Sequence, residues 1–509
     1  MLKLIILSAF RGLLKYKSVT IINLMGLVLG ITSFLFIQHY LLFEFSSDSV
    51  FPKPGNVYRV NLEIDKAGER IYNGAKTPRG LYDALKKDIP EVEANGISYF
   101  EKCFLKYEKA SYANQDVLWV DEGFEKVFPM EMTAGKADYS RPRAGIVSET
   151  TAKALFGNES PIGKIVGINQ GMPVEITGVF KDLPSNSHLK AQVFATIKTW
   201  VEMGEIPATG SWQGNGWWNY VRLKKGASAE QVAAKINSLS KTHMAFLKED
   251  NRKANFWLQP LSDLHFISGI DGEMGAHTNR TSLYNLIAIA LITLIIAWIN
   301  YANLAMTHSE ARSQQIRMRK LIGAANVHLW QQSLAESIIL NVSALILSLV
   351  LYFVFLPAFA GMFSIPIAAA HIPTFYMFLL SAGIIITGIL LSSLYHSIAL
   401  SSIRLIPLAR MKKPRGNKNY FVMVQMVLSV VFLTSTIVVF KQISFMKNRN
   451  IGIELDNVAI LTGPASLNAD PKKRERFENF KTELLSNPGF VAATYNMNVP
   501  GQEPVYGFL

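Results

Sequence analysis

The residues with the clearest chemical potential lie in a short basic segment, Ser309–Ala325, whose cations are Arg312, Arg317, Arg319 and Lys320. The segment contains no proline and ends at a Gly-Ala-Ala break that begins with Gly323, so it is predicted to be helical. Helical periodicity gives it two adjacent stripes, one of Arg312, Ile316, Arg319 and Lys320 and one of Arg317, Leu321 and Ala324. Such a helix presents cations and apolar side chains together.

Two interpretations of this basic helix are open. It lies between two long apolar runs, Leu283–Met306 and Leu334–Phe355, so its charge can simply mark a cytosolic loop between membrane helices. Alternatively, it is a helix on which a cytosolic partner docks and pushes. Charge alone favours the loop, and the family resemblance given below favours docking.

Motifs for catalysis or metal binding are weak. The segment Gly157–Ile165 approaches a phosphate-binding loop, but it has five residues between its glycines and an isoleucine where a magnesium ligand should stand. Two Ser-x-x-Lys pairs, at Ser238 and Ser444, lack companion motifs. His188 and His265 are more typical of turns than of metal ligands. We therefore predict no catalytic residue, no metal site and no cofactor held by this chain.

A group of aromatic residues offers one further candidate binding site, made of Trp212, Trp217, Trp218 and Tyr220. Aromatic side chains of this kind can bind a ligand, but they more often fill a core or anchor a strand. We favour the core interpretation.

Composition and charge indicate a membrane protein with a large polar portion. Half of the 509 residues are hydrophobic and 17% are charged. The net charge of +13 is concentrated at Lys3–Lys17, Arg312–Lys320 and Arg404–Lys418, each beside an apolar run. This arrangement favours cytosolic membrane flanks over nucleic-acid binding. A single cysteine, Cys103, excludes an intrachain disulfide.

Five apolar segments are long enough to span a bilayer, at 18–43, 282–306, 329–356, 373–400 and 420–442. Residues 1–17 are predicted to form an amphipathic helix on the cytosolic leaflet, and 307–328 and 401–419 are cytosolic. Gly26 and Gly30 form a Gly-x-x-x-Gly motif in the first span, which serves helix packing within one chain or in a dimer. The basic clusters place the N-terminus in the cytosol.

Residues 44–281 differ from the spans because apolar and polar residues alternate. Strands are predicted at Tyr58–Ile64, Val174–Phe180 and Tyr220–Leu223, and helices at Pro78–Ile89 and Ser228–Leu239. The predicted fold is an α-helical transmembrane bundle with a large α+β extracytoplasmic domain inserted after the first helix. Residues 443–509, with a strand at Val458–Thr462 and a helix at Lys472–Leu485, are predicted to begin a second, incomplete copy of that domain.

Several segments together resemble bacterial ABC-transporter permeases of the MacB/FtsX type, in the subgroup with two domain copies. They are Asn23–Gly30, Glu44–Phe51, Val57–Val60, Val147–Gly157, Pro161–Lys164, Pro184–His188, Pro260–His265, Ile299–Leu304, Arg317–Ala324, Gln425 and Lys441-Gln442. The pattern departs from the family at Gln315, where a glutamate is usual, and at Tyr395-His-Ser.

The resemblance implies a permease subunit of the bacterial inner membrane, with its large domain in the periplasm. A separate ABC ATPase would bind ATP and dock on the helix that carries Arg312, Ile316, Arg317, Arg319, Lys320, Leu321, Gly323 and Ala324. ATP-driven movement would then pass through the membrane helices to the outer domain. The resemblance also implies a homodimer, or a pseudo-dimer of the two copies. A periplasmic adaptor and an outer-membrane channel are candidate further partners, and whether an adaptor is needed stays open at this stage.

Three functions stay open at this stage. The first is mechanotransmission for export of a small molecule, a peptide or a lipoprotein. The second is a sensor or regulator that couples an ATPase to a periplasmic protein partner without transport. The third is a membrane-anchored enzyme with its site in Glu44–Arg280, where no constellation of catalytic residues is evident.

Overall fold

The computed structural model describes residues 2–51, 54–108, 110–169, 171–275, 278–311, 326–363, 418–449, 458–461 and 472–495, and positions 318, 365, 379, 382–383, 386–388 and 390. The chain forms two compact units. The membrane unit comprises Met1–Phe45 and Thr281–Ala459. The second unit comprises Ser46–Arg280 and Ile460–Leu509, and its first part is called the α/β domain below.

The helices that the structure describes are, in chain order, α1 (Leu2–Lys15), α2 (Lys17–Phe45), α3 (Gly80–Asp88), α4 (Phe124–Val127), α5 (Glu149–Phe156), α6 (Lys198–Glu202), α7 (Ala229–His243), α8 (Arg280–Ala311), α9 (Asn326–Phe363), α10 (Lys418–Asn448) and α11 (Lys473–Leu485). The strands are β1 (Val57–Lys66), β2 (Glu69–Gly74), β3 (Val92–Tyr107), β4 (Ala110–Val120), β5 (Met132–Gly135), β6 (Ala144–Ser148), β7 (Ile165–Ile168), β8 (Met172–Phe180), β9 (Val193–Thr196), β10 (Trp218–Leu223) and β11 (Arg252–Pro260).

Four helical stretches are long and apolar enough to cross a membrane: Lys17–Phe45, Arg280–Asn303, Leu334–Phe363 and Met426–Asn448. They match the first, second, third and fifth predicted spans. The predicted span at 373–400 lies largely outside the described residues. The predicted N-terminal helix is confirmed as α1, which exposes Leu7, Phe10 and Leu14. Its location at the lipid interface stays a prediction.

Helices α2, α8 and α9 pack around a shared apolar core. Its buried members are Leu27, Val28, Ile31, Phe34, Leu35, Ala290, Leu294, Ala297, Tyr301, Leu340, Ala344 and Tyr352. Other faces expose large apolar residues, such as Leu29 and Phe353 at 65% and 66%. A helix that is apolar on both its packed and its exposed faces is typical of a membrane span.

The third spanning helix is longer than predicted. The predicted span ends at residue 356, but α9 runs through Pro357 to Phe363. Aromatic contacts with α2 explain the extra turns: the Phe36 and Phe359 rings lie 4.8 Å apart, and those of Tyr40 and Phe363 lie 5.5 Å apart. This packing offsets the backbone hydrogen bond that the proline cannot make.

One mixed, mainly antiparallel sheet forms the centre of the α/β domain. Its strand order is β11-β1-β10-β3-β4-β9-β6-β8-β5, with β2 paired to β1 and β7 paired to β3 and β8. The three predicted strands are confirmed within β1, β8 and β10, and the two predicted helices are confirmed as α3 and α7. Ser228 caps α7 as expected, because its hydroxyl accepts the Gln231 N–H at 3.4 Å. The predicted fold class is therefore confirmed.

The C-terminal predictions have different outcomes. The predicted helix is confirmed as α11. The predicted strand at Val458–Thr462 is wrong for Val458–Leu461, which have no regular secondary structure. Val458, Ile460 and Leu461 are about two-thirds exposed, at 60–67%. Within the described ranges no strand pairs with them, and an unpaired strand is not stable. The second domain copy stays a prediction.

Candidate functional site

The predicted docking residues lie outside the described residues. This applies to Arg312, Ile316, Arg317, Arg319, Lys320, Leu321, Gly323 and Ala324. The structure describes α8 up to Ala311, an exposed helical Met318, and α9 from Asn326. The docking role of this segment stays a prediction.

Gly26 and Gly30 face α8 of the same chain. A Cβ atom added at Gly30 would lie 2.6 Å from the Cβ of Ala297, far inside the optimal contact distance between two carbons. A Cβ added at Gly26 would lie 3.3 Å from the Asn300 side-chain nitrogen. The two glycines therefore allow α2 and α8 to approach closely. A role for this motif in a dimer stays a prediction.

The Gly30→Ala variant is expected to destabilise the membrane unit by about 1–3 kcal/mol, because the new methyl group overpacks the α2–α8 contact. The Ala297→Gly change should restore most of this loss in the double variant. Gly361→Ala is the matched control, since no atom of the described residues lies within 4 Å of its added Cβ. Denaturant unfolding of the full chain in detergent measures the loss of stability. Equal losses for Gly30→Ala and Gly361→Ala would contradict the prediction.

Buried polar contacts fix the same three helices relative to one another. His39 Nδ1 lies 2.6 Å from the Tyr352 hydroxyl, which joins α2 to α9. The Ser348 hydroxyl donates to the Val28 carbonyl at 3.1 Å, and the hydroxyls of Tyr301 and Ser337 lie 2.7 Å apart. An unsatisfied polar group is costly in a bilayer, so each contact favours one register of the helices.

The chain passes from α2 into the α/β domain through Ser46–Asp48, which bind the turn Asn186–His188. The Ser47 hydroxyl donates to the Asn186 carbonyl at 2.6 Å, and the Asn186 amide donates to the Ser46 hydroxyl at 3.0 Å. Asp48 Oδ1 accepts the Ser187 hydroxyl at 2.8 Å and the His188 N–H at 3.0 Å. It also lies 2.9 Å from His188 Nδ1. We call this set of contacts the first joint.

The Asp48 carboxylate is the centre of the first joint. Its side chain is 2% exposed and that of His188 is 8% exposed. Burial alone would raise the pKa of Asp48, but His188 and the Ser187 hydroxyl outweigh burial and hold the pKa below its usual range. Asp48 is therefore a buried, charged anchor whose Oδ1 accepts hydrogen bonds from the Ser187 hydroxyl and the His188 N–H.

The His188 ring extends the first joint into the core of the α/β domain. Its centroid lies 5.3 Å from that of Phe128, 5.6 Å from that of Tyr220 and 6.3 Å from that of Phe51. Those three residues are almost fully buried in one apolar cluster. A displacement of Asp48 would therefore act directly on the packed core, which resists deformation.

The chain leaves the α/β domain through residues that make a second joint. Glu273 binds the Arg59 guanidinium through both carboxylate oxygens, and the two side chains are 7% and 2% exposed. Arg59 also donates to Asn61 and to Gln259, each at 2.8 Å. Arg280, the first residue of α8, donates to Asp263 at 2.6 Å. The segment before α8 is thus held by a buried ion pair, Arg59–Glu273, and by a more exposed one, Arg280–Asp263.

The sequence analysis did not identify either joint as a site. Asp48 and His188 are 140 residues apart, and Arg59 and Glu273 are 214 apart, so no local spacing connects them. His188 was considered only as a turn residue. The available signal was that Glu44–Phe51 and Pro184–His188 both belong to the family-like segments.

The segment Gly157–Lys164 does not have the geometry of a phosphate-binding loop. Such a loop follows a strand and opens a helix, so that helix N–H groups face the phosphates. Here Gly157 ends α5, and β7 begins after Lys164, which forms an ion pair with Glu159. Among the residues that the structure describes, no three His, Cys, Asp or Glu side chains form a group that could hold a metal.

The aromatic candidate belongs to the core, as favoured from the sequence. Trp218 and Tyr220 are 3% and 0% exposed. The Trp217 ring lies 5.2 Å from that of Tyr99, and Trp212 stacks on His243 at 4.8 Å. These contacts use the ring faces for packing rather than leaving them open to a ligand.

Comparison with known proteins supports the architecture. Residues 20–239 match the model of the MacB-like periplasmic core domain, and residues 287–404 match that of the FtsX-like permease C-terminal domain. The chain is 24% identical over 352 residues to YknZ of Bacillus subtilis, described as an uncharacterized ABC transporter permease, covering 65% of this chain and 81% of YknZ.

The chain is also 22% identical over 364 residues to the macrolide export ATP-binding/permease protein MacB of Aggregatibacter actinomycetemcomitans, covering 66% of this chain and 51% of MacB. It therefore spans about half the length of that relative. The crystal structure of the periplasmic region of MacB from Actinobacillus actinomycetemcomitans matches with 16% identity and a TM-score of 0.30, covering 41% of this chain and 90% of that structure. The two matched domains, in this order and on either side of the start of α8, show that the chain belongs to the MacB/FtsX-like ABC transporter permeases.

Proposed function

We propose that this chain transmits ATP-driven movement of a separate ABC ATPase to its α/β domain, and that this domain lies on the extracytoplasmic side of a bacterial inner membrane. The movement would drive export of a small molecule, a peptide or a lipoprotein. The chain itself would bind no ATP. We expect it to act as a dimer or pseudo-dimer in membrane lipid, with an adaptor and an outer-membrane channel as further partners.

The observation that carries this proposal is the construction of the two joints. Asp48 follows shortly after the end of α2 at Phe45, and Arg280 begins α8. Both joints use charged groups, and the Asp48–His188 and Arg59–Glu273 pairs are buried. Separating a buried ion pair such as Arg59–Glu273 costs far more than bending an exposed loop. The joints are therefore suited to carry displacement from a spanning helix into the domain.

The docking part of the proposal rests on the basic segment 307–328 and on family membership. Reversing two of its charges, with Arg319→Glu plus Lys320→Glu, is expected to reduce copurification with the ATPase subunit more than tenfold. The physical reason is that like charges would face an acidic partner surface across the interface. Pull-down from membranes, followed by ATPase assays in nanodiscs, measures the effect.

The control is Lys224→Glu plus Lys225→Glu, which changes net charge equally at two exposed lysines of the α/β domain. This control should leave ATPase binding unchanged. If the Arg319→Glu plus Lys320→Glu chain bound and stimulated the ATPase normally, the docking role would be wrong.

Export and regulation predict different stimulators of the ATPase. An exporter in nanodiscs should hydrolyse ATP faster when a transported small molecule, peptide or lipoprotein is added. A sensor or regulator should respond only to a periplasmic protein partner. Stimulation confined to a protein partner, with no vesicle transport, would replace export by regulation and keep the transmission mechanism.

A further inference from the structure

A cavity of about 440 Å³ lies in the α/β domain beside α5, and it includes none of the residues of either joint. Leu105, Ala154 and Leu155 give it an apolar wall. Gln115, Gln192 and Asp182 add polar groups from β4 and from the segment between β8 and β9. Small-molecule sites typically have volumes of roughly 300–1,000 Å³ and this mixture of apolar wall and few polar groups.

Among the residues that the structure describes, Asp182 is the only Asp, Glu, Lys, Arg or His that lines the cavity. The Thr150 N–H and hydroxyl donate to its two oxygens at 3.3 Å and 2.5 Å. Across the part of the chain that the structure describes, Asp182 forms no ion pair with Lys, Arg or His. A carboxylate bonded only to neutral donors retains its net charge and free acceptor positions.

The remaining lining groups disfavour an anion. No lysine or arginine of the described ranges lines the cavity, and its amides and hydroxyls are neutral. The Tyr112 hydroxyl already donates to the Ala154 carbonyl at 2.8 Å, which connects the β4 side of the cavity to α5. An occupant that complements the lining therefore has one positive group and an apolar body.

We propose that this cavity binds a small amphipathic cation, an organic amine whose ammonium contacts Asp182 and whose apolar part lies against Leu105, Ala154 and Leu155. The proposal is independent of the joints and of ATPase docking, because it requires neither movement nor a partner subunit.

The test uses the full chain in nanodiscs, with 4-phenylbutylamine as the cationic probe and 4-phenylbutan-1-ol as its neutral counterpart. Equilibrium binding is measured by titration calorimetry, and the signal of empty nanodiscs is subtracted. The amine is expected to bind about fivefold more tightly than the alcohol. Asp182→Asn should remove that preference, since the amide keeps the shape and loses the charge.

Three further variants keep the result decisive. Ala154→Phe places a ring in the cavity from an exposed helical position, so both probes should lose binding. Gln192→Glu adds a second carboxylate to the cavity and should strengthen amine binding. This variant tests the proposal even if Asp182→Asn unfolds because it loses a charge beside α5. Glu205→Gln replaces an exposed carboxylate outside the cavity and should leave the binding of both probes unchanged.

Equal binding of amine and alcohol to the unchanged chain would overturn the proposal. So would amine binding that persists in Ala154→Phe, since the probe would then bind elsewhere. Variants that lose ATPase docking or transport should still bind the amine. A failure of the proposed transmission function can therefore be distinguished from a failure of the proposed amine site.

Discussion

Replacing Asp48 by alanine is expected to lower the free energy of unfolding of the α/β domain by about 3–5 kcal/mol, because it removes a buried carboxylate that accepts several hydrogen bonds and each buried donor left unsatisfied costs about 1–3 kcal/mol. Asp48 and His188 are 2% and 8% exposed, so solvent screens their interaction little. The change also removes the acceptor for the Ser187 hydroxyl and for the His188 N–H. Both groups would be left unsatisfied in the core.

Tryptophan fluorescence during denaturant unfolding of the full chain measures this loss. Six of the eight tryptophans lie in the α/β domain, at positions 119, 200, 212, 217, 218 and 257. The matched control is Asp88→Ala, an exposed aspartate at the end of α3, which should shift stability by less than about 0.5 kcal/mol. A similar shift for both variants would contradict the special role of Asp48.

The same carboxylate makes stability depend on pH in a defined direction. The pKa of Asp48 is lower in the folded chain than its unfolded value of about 3.9. Its contribution is therefore fully present above that value and is lost as the pH falls through the folded pKa. The stability gap between the unchanged chain and Asp48→Asn should be large at pH 7 and should narrow below about pH 4. A gap that stays constant with pH would contradict the charged state of Asp48.

Asp48→Ala should also separate docking from transmission. The ATPase subunit should still copurify, because the basic segment is unchanged. Transport per ATP hydrolysed should fall about tenfold, because the first joint no longer carries the displacement of α2. Normal transport in a chain whose α/β domain has lost the expected stability would refute transmission through this joint.

Replacing Arg59 by alanine is expected to have an effect of similar size, about 3–5 kcal/mol. Glu273 would lose the cation that binds both of its oxygens, and Gln259 and Asn61 would each lose a donor. These contacts are buried, since the side chains of Arg59 and Glu273 are 2% and 7% exposed. The measurement is again tryptophan fluorescence during unfolding of the full chain.

A double-variant cycle shows whether the loss comes from the pair. Arg59→Met together with Glu273→Leu removes both charges and should recover much of the stability, since two apolar groups need no mutual compensation. The control ion pair is Arg143–Glu202, whose side chains are 51% and 42% exposed. Breaking the Arg143–Glu202 pair should lower the free energy of unfolding by at most about 1 kcal/mol. Additive losses at Arg59 and Glu273 would contradict a coupled buried pair.

The local pattern of the chain determined most of the helices, several strands and the class of fold. Apolar runs of bilayer length predicted α2, α8, α9 and α10, and alternation predicted β1, β8 and β10. These features depend on neighbouring residues, whose side chains share one face of a helix or strand. The failures had a common cause in tertiary structure. Helix α9 continues through Pro357 because distant aromatic residues of α2 pack against it, and no strand of the described ranges pairs with Val458–Leu461.

Tertiary structure alone decided where the candidate site is. The joints bring together Asp48 with His188 and Arg59 with Glu273, and the partners in each pair are separated by more than a hundred residues. The sequence identified Gly26 and Gly30 as a packing motif, but only the packed helices showed that Ala297 and Asn300 face them. A residue's type and spacing define what it can do locally, whereas its partners, its burial and hence its charge state depend on which distant segments the fold places beside it.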